Sequence, residues 1–69
     1  MKILVIDNEK EIRGVLKDMV TACGNGLYTI DEADGVATGI VKINSFMPDI
    51  VLLDVEMNDG TGFDLLKQI

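Results

Sequence analysis

Three polar residues stand directly after short apolar runs in this sequence. Asp7 and Asn8 follow Ile3-Leu4-Val5-Ile6, and Asp54 follows Ile50-Val51-Leu52-Leu53. Both runs are too short for helices and are rich in aliphatic and β-branched residues, so they read as strands buried on both faces, as in a parallel sheet. Ligands of open parallel sheets bind beyond the carboxyl ends of the strands. If the two strands are neighbours, Asp7, Asn8 and Asp54 converge on one point. Two carboxylates and a carboxamide repel one another there unless a cation joins them. Oxygen donors with few charges suit Mg2+, which keeps several waters and accepts phosphate oxygens. Such an ion offsets the repulsion between a carboxylate and an incoming phosphate, and the carboxylate can then act as a nucleophile and form an acyl phosphate. Asp at a strand end is also a common turn former, and Asn8 fits a helix N-cap as well as it fits a ligand. The joint placement after two doubly apolar runs is what singles these residues out.

The elements that must position them follow from periodicity. Ile12, Val15, Leu16, Met19, Val20 and Cys23 recur at helical spacing. Asn8 with Glu11 resembles a capping box at the start of that helix, and Gly24-Asn25-Gly26 ends it. Leu27 to Ile30 reads as a second, weaker strand. Val36, Ala37, Ile40, Val41 and Ile43 mark a second helix with Asp34 as its N-cap. Gly35 and Gly39 lower its intrinsic stability, so it depends on packing. Pro48 closes the connection to the strand Ile50–Leu53. A Gly-rich loop runs through Gly60 and Gly62, and Phe63, Leu65, Leu66 and Ile69 begin a third helix. Alternation of this kind predicts an α/β fold with a parallel sheet covered by helices. No repeat, linker or low-complexity segment divides residues 1–69, so one unit without a second domain is expected.

Composition narrows the function further. Twelve Asp and Glu face six Lys and Arg, a net charge of −6. That balance argues against direct nucleic-acid contact by this segment, which needs a basic face, and suits a cation site or a basic partner. Cys23 is the only cysteine, which excludes an intrachain disulfide and fits a packing role in a reducing cytoplasm. Met1 leads straight into an apolar strand, so no signal peptide is expected. No apolar run approaches the roughly 20 residues that span a bilayer. Asp7-Asn8-Glu9-Lys10 stands where a nucleotide-binding protein carries a Gly-rich phosphate loop.

The stretch Lys2-Ile3-Leu4-Val5-Ile6-Asp7-Asn8-Glu9 resembles the first strand and acidic loop of response-regulator receiver domains. Pro48-Asp49-Ile50-Val51-Leu52-Leu53-Asp54-Val55-Glu56-Met57 resembles their third strand and phospho-acceptor site, and Asn58 to Leu66 continues the likeness. The Asp59-Gly60-Thr61-Gly62-Phe63 wording is most similar to receivers joined to LytTR-type DNA-binding domains. The resemblance implies a truncated flavodoxin-like (CheY-like) receiver: a parallel three-stranded sheet in order 2-1-3, two helices and the start of a third, spanning the N-terminal portion of that domain. It implies that Asp54 accepts a phosphoryl group from a sensor histidine kinase in two-component signalling, as a phospho-acceptor rather than an enzyme. Asp7 then matches the first acid of the Mg2+ pocket, acting through water. Asn8 stands where the family has a second acid, and the backbone carbonyl of Glu56 matches the third protein ligand. Met57 matches a residue lining the following loop, and Gly62 the glycine that turns that loop into the third helix.

Departures from the family pattern bear on competence. Asn8 replaces a carboxylate, which weakens the pocket for a hard cation. Asn58 replaces the usual proline. The Ser or Thr and the Lys that contact the acyl phosphate in the family lie on its fourth and fifth strands, beyond the elements read here. The lysine's electrostatic role cannot be replaced by positioning, so slow or absent phosphorylation is expected. The third strand becomes an apolar edge, which invites pairing with another chain. A homodimer or a complementary chain meeting Ile50 to Leu53 is expected, and the alternative function is a non-catalytic half-receiver that serves dimerisation or interaction.

Overall fold

Four consecutive aliphatic residues, Ile3 to Ile6, lie at the centre of the molecule, and Leu4, Val5 and Ile6 are fully buried. They belong to β1 (Lys2–Ile6) in a computed structural model that describes residues 1–69. The chain continues through α1 (Lys10–Gly24), β2 (Thr29–Ala33), α2 (Val36–Phe46), β3 (Ile50–Leu53), a two-stranded hairpin of β4 (Glu56–Met57) and β5 (Gly60–Thr61), and α3 (Gly62–Leu66). β1 pairs in parallel with both neighbours, in the order β2-β1-β3. Its central position explains the unbroken apolar run, since both of its faces are covered. The fold expected from the sequence, a three-stranded parallel sheet in order 2-1-3, is the one observed.

The chain moves one way from β1 to β2 and back past β1 to β3. Right-handed crossovers in opposite directions place α1 and α2 on opposite faces of the sheet. On the α2 face, Leu4 and Ile6 pack with Ala33, Val36, Met57 and Leu65, and Ile40, Ile43, Phe46, Val51 and Leu53 close around them. This packing supports α2 despite its internal glycine. The α1 face is covered by one helix only. Ile12, Val15, Met19 and Cys23 therefore remain exposed, while Leu16 and Val20 are half-buried. Cys23 has no packing role, contrary to the expectation from its apolar surroundings.

Three local expectations are corrected. The second strand is Thr29–Ala33 rather than Leu27–Ile30, because Asn25 and Gly26 turn with positive φ and leave Leu27 outside the sheet at 78% exposure. Asp31 and Glu32 are accommodated on this edge strand because Lys42 pairs with the first, and Arg13 and Lys17 with the second. The Asn8–Glu11 capping box does not form: the N-cap of α1 is Glu9, without a side-chain cap. Asp34 does not cap α2 either, since Gly35 holds that position and Asp34 instead accepts from the Thr38 hydroxyl at 2.8 Å.

Candidate functional site

The register that pairs Ile6 with Leu53 brings the next residues of both strands, Asp7 and Asp54, to the same end of the sheet. Neighbouring strands are about 4.8 Å apart. Backbone bonds hold these ends together: Asp54 N–H donates to the Ile6 carbonyl at 2.9 Å, and Asp7 N–H donates to the Ala33 carbonyl at 3.1 Å. Past the strand ends lies an open cleft of about 340 Å³ lined by Asn8, Glu9, Asp54, Glu56, Met57 and Asn58. Of the residues singled out in the sequence, Asn8, Asp54, Glu56 and Met57 meet here. Asp7 stands beside the cleft without lining it. Its Oδ1 accepts from Glu9 N–H at 2.9 Å, which bends the chain from β1 into α1.

Two anchors shape the walls. Arg13 donates to the Asp7 carbonyl at 2.7 Å and to Glu32 at 2.7 Å, tying the end of β1 to β2 through α1. Lys17 and then Arg13 hold the Glu32 carboxyl below the usual carboxylate range. On the opposite wall, Gly62 N–H donates to the Val55 carbonyl at 2.8 Å, which closes the base of the β4–β5 hairpin. Antiparallel pairing alternates bonded and non-bonded pairs. The next pair, Glu56 and Thr61, is then non-bonded, and the Glu56 carbonyl faces away from β5. Gly62 is required where it stands. A Cβ there would lie 2.6 Å from the Asp54 carbonyl oxygen and 3.1 Å from Leu53 Cγ.

The oxygen donors that the lining residues carry include the Asp54 and Glu9 carboxylates, the Glu56 carbonyl and the Asn8 carboxamide. Asn8 Nδ2 donates to Asn58 Oδ1 at 3.4 Å, leaving Asn8 Oδ1 free to accept or coordinate. No group of three or more His, Cys, Asp or Glu side chains gathers closely enough to hold a metal ion through those side chains alone. The mixed set of carboxylate, amide and carbonyl oxygens nonetheless fits Mg2+, which takes one or two carboxylates and completes its shell with water. None of the six cationic residues lines the cleft. Sequence reasoning missed Glu9 and Asn58 as wall residues, although both stand next to residues it named. It also missed Asp59, which holds the tip of the hairpin to α2 from 22 and 23 residues away. A pairing at that separation leaves no local signal.

Comparison with known proteins places this geometry. The response regulator receiver domain family matches residues 3–69. An uncharacterized response regulatory protein of Vibrio vulnificus is 40% identical over 63 residues, which cover 91% of this chain and 26% of that protein. The sensory transduction protein LytR of Staphylococcus haemolyticus is 33% identical over 69 residues, covering 100% of this chain and 27% of its own length. The crystal structure of the N-terminal domain of a response regulator receiver protein from Methanoculleus marisnigri superimposes with a TM-score of 0.89 at 31% identity, over 99% of this chain and 53% of that one. The chain thus spans about a quarter of these two curated relatives and about half of this solved domain. No helix is long and apolar enough to cross a membrane. With a match along nearly its whole length and a fold that superimposes on a solved receiver, the chain belongs to the response regulator receiver domain family of two-component systems.

Proposed function

We propose that residues 1–69 are the N-terminal portion of a receiver whose Asp54 accepts a phosphoryl group from the phosphohistidine of a sensor histidine kinase, in the cytoplasm and with Mg2+ as cofactor. The observation that carries this reading is the meeting of Asp54, Asn8 and Glu56 in one cleft at the carboxyl ends of β1 and β3. Asp54, Asn8 through its free Oδ1 and the outward Glu56 carbonyl would hold the ion, with Asp7 acting through water. When bound, Mg2+ neutralises charge between the Asp54 carboxylate and the incoming phosphoryl oxygens. An Asp54 carboxylate oxygen attacks phosphorus, the P–N bond breaks, and the imidazole nitrogen leaves with the electron pair and takes up a proton. Asn58 orients the Asn8 carboxamide. Since none of the cleft-lining residues is a lysine or arginine, transfer is slow unless a lysine from outside residues 1–69 reaches the phosphoryl group. The likeness to LytR supports a LytTR-type regulator as the parent protein.

The test is incubation with Mg2+ and a small acyl-phosphate donor, followed by intact-mass measurement. The expected result is one added phosphoryl group, absent without Mg2+ and absent in Asp54→Asn. No adduct at saturating donor would sink the reading.

A second reading has its own observation. β3 is an edge strand: its pairing with β1 leaves its other side open, with Ile50 43% exposed and Val51 to Leu53 half-buried. Such an edge fits a half-receiver that pairs with a second copy or a complementary chain.

A further inference from the structure

The Asp59 carboxylate joins two elements that are distant in the chain. It accepts from the backbone N–H of Val36 at 2.8 Å and from that of Ala37 at 3.0 Å, the first two residues of α2. A helix leaves its first N–H groups without intrahelical partners, and the N-cap here, Gly35, has no side chain to offer them. Gly35 also makes the room: a Cβ at that position would lie 2.7 Å from Asp59 Oδ1. The hydrogen bonds from Ala37 and then Val36 hold the Asp59 carboxyl below its ordinary range.

Asp59 sits in the two-residue turn of the β4–β5 hairpin, whose first strand supplies Glu56 and Met57 to the acceptor cleft. Strands of two residues cannot support themselves. At its base the hairpin is held by reciprocal bonds between Thr61 and Asp64, at 2.9 and 3.1 Å, and buried Met57 anchors the strand that leads into the turn. Of the two turn residues, Asn58 adds only the long hydrogen bond from Asn8.

We propose that Asp59 is a positioning residue for the acceptor cleft: by clamping the hairpin tip to the N-terminus of α2, it sets where the Glu56 carbonyl and the Asn58 side chain stand relative to Asp54. The consequence for the cleft rests on the phospho-acceptor reading above. The clamp itself does not.

Two variants of Asp59 and a comparator separate the clamp from a simple gain in helix stability. Thr38→Val removes the hydroxyl that accepts from Gly35 N–H at 3.0 Å and Asp34 N–H at 3.2 Å, at the same helix end but without touching the hairpin. Amide hydrogen exchange of residues 56–61, read without metal, and Mg2+ affinity, read by titration, are measured in the protein as it occurs. Asp59→Ala should speed exchange across the hairpin and weaken Mg2+ by about tenfold, Asp59→Asn should recover part of both, and Thr38→Val should leave both within about twofold. Unchanged hairpin exchange in Asp59→Ala, or an equal effect of Thr38→Val, overturns the proposal. Faster exchange in Asp59→Ala alone supports the clamp whether or not Mg2+ binds. Absence of Mg2+ binding by the unaltered protein overturns only the acceptor reading.

Discussion

Asn8 lines the cleft with a carboxamide where the sequence resemblance led to the expectation of a second acid. Its carboxamide contributes an oxygen without a charge and uses its nitrogen to reach Asn58. The two residues expected from the sequence to depart from the receiver pattern are thus hydrogen-bonded to each other, which their separation in the chain conceals. A neutral oxygen is a weaker donor to a hard cation than a carboxylate. Asn8→Asp is therefore expected to tighten Mg2+ binding by about tenfold, measured by calorimetric titration. An unchanged affinity would mean that Asn8 Oδ1 does not face the ion. Asp54 was legible as a candidate because it follows an apolar strand, and Glu56 only through the resemblance of the stretch that contains both. Asp7 was equally visible, yet its Oδ1 is engaged by Glu9 N–H, a choice made by the local turn rather than by residue type.

At the scale of elements, the loop after β3 is set by close approach. The Asp54 carbonyl lies against Gly62 at the start of α3, with no room for a side chain. Gly62→Ala is expected to destabilise the fold by about 1–3 kcal/mol, because backbone must move to admit the methyl group; urea unfolding measures this. Edge strand β2 carries the other sensitive feature. Its Glu32 is held by Lys17 and Arg13, and its Asp31 chiefly by Lys42, so both carboxyls have folded-state pKa values below their ordinary 4.5 and 3.8. A depressed folded-state pKa contributes stability above the unfolded value, which is lost as pH falls through the folded one. The urea midpoint should therefore drop as pH falls below about 4.5. Glu32→Gln should lower stability near neutral pH and flatten part of that acid-dependent loss, and an undiminished slope would remove Glu32 as its source. The corrected position of β2 has the same origin: Asp31 and Glu32 look unlike strand residues until their cationic partners on α1 and α2 are in place.

For the whole molecule, the asymmetry between the two faces of the sheet dominates. One face carries α2, α3 and a closed core, whereas the other carries α1 with Ile12, Val15 and Met19 still in water. The β3 edge is open as well. If that edge pairs copies of the chain, sedimentation should show association that grows with concentration. Ile50→Lys should then weaken it by at least about tenfold, or about 1.4 kcal/mol, since a charged edge resists strand addition. A monomer at all concentrations would count against pairing through this edge.

The sequence by itself determined β1 and β3, the sheet class, and the position of Asp54 at a strand end. β1 is buried on both faces and therefore needs consecutive apolar residues, a requirement written locally. β3 carries a similar run but, contrary to expectation, is not buried on both faces: Ile50 is exposed and Val51 to Leu53 are half-buried. The sequence also determined α1 and α2 as helices, through their periodic apolar residues. Only the tertiary structure decided which side of α1 stays uncovered, where β2 begins, and how α2 is capped. Each of those outcomes depends on a partner far along the chain: on the number of helices each sheet face receives, on cations from two helices, and on Asp59. A polar residue in sequence shows what it can bond to, and only the fold shows which group arrives.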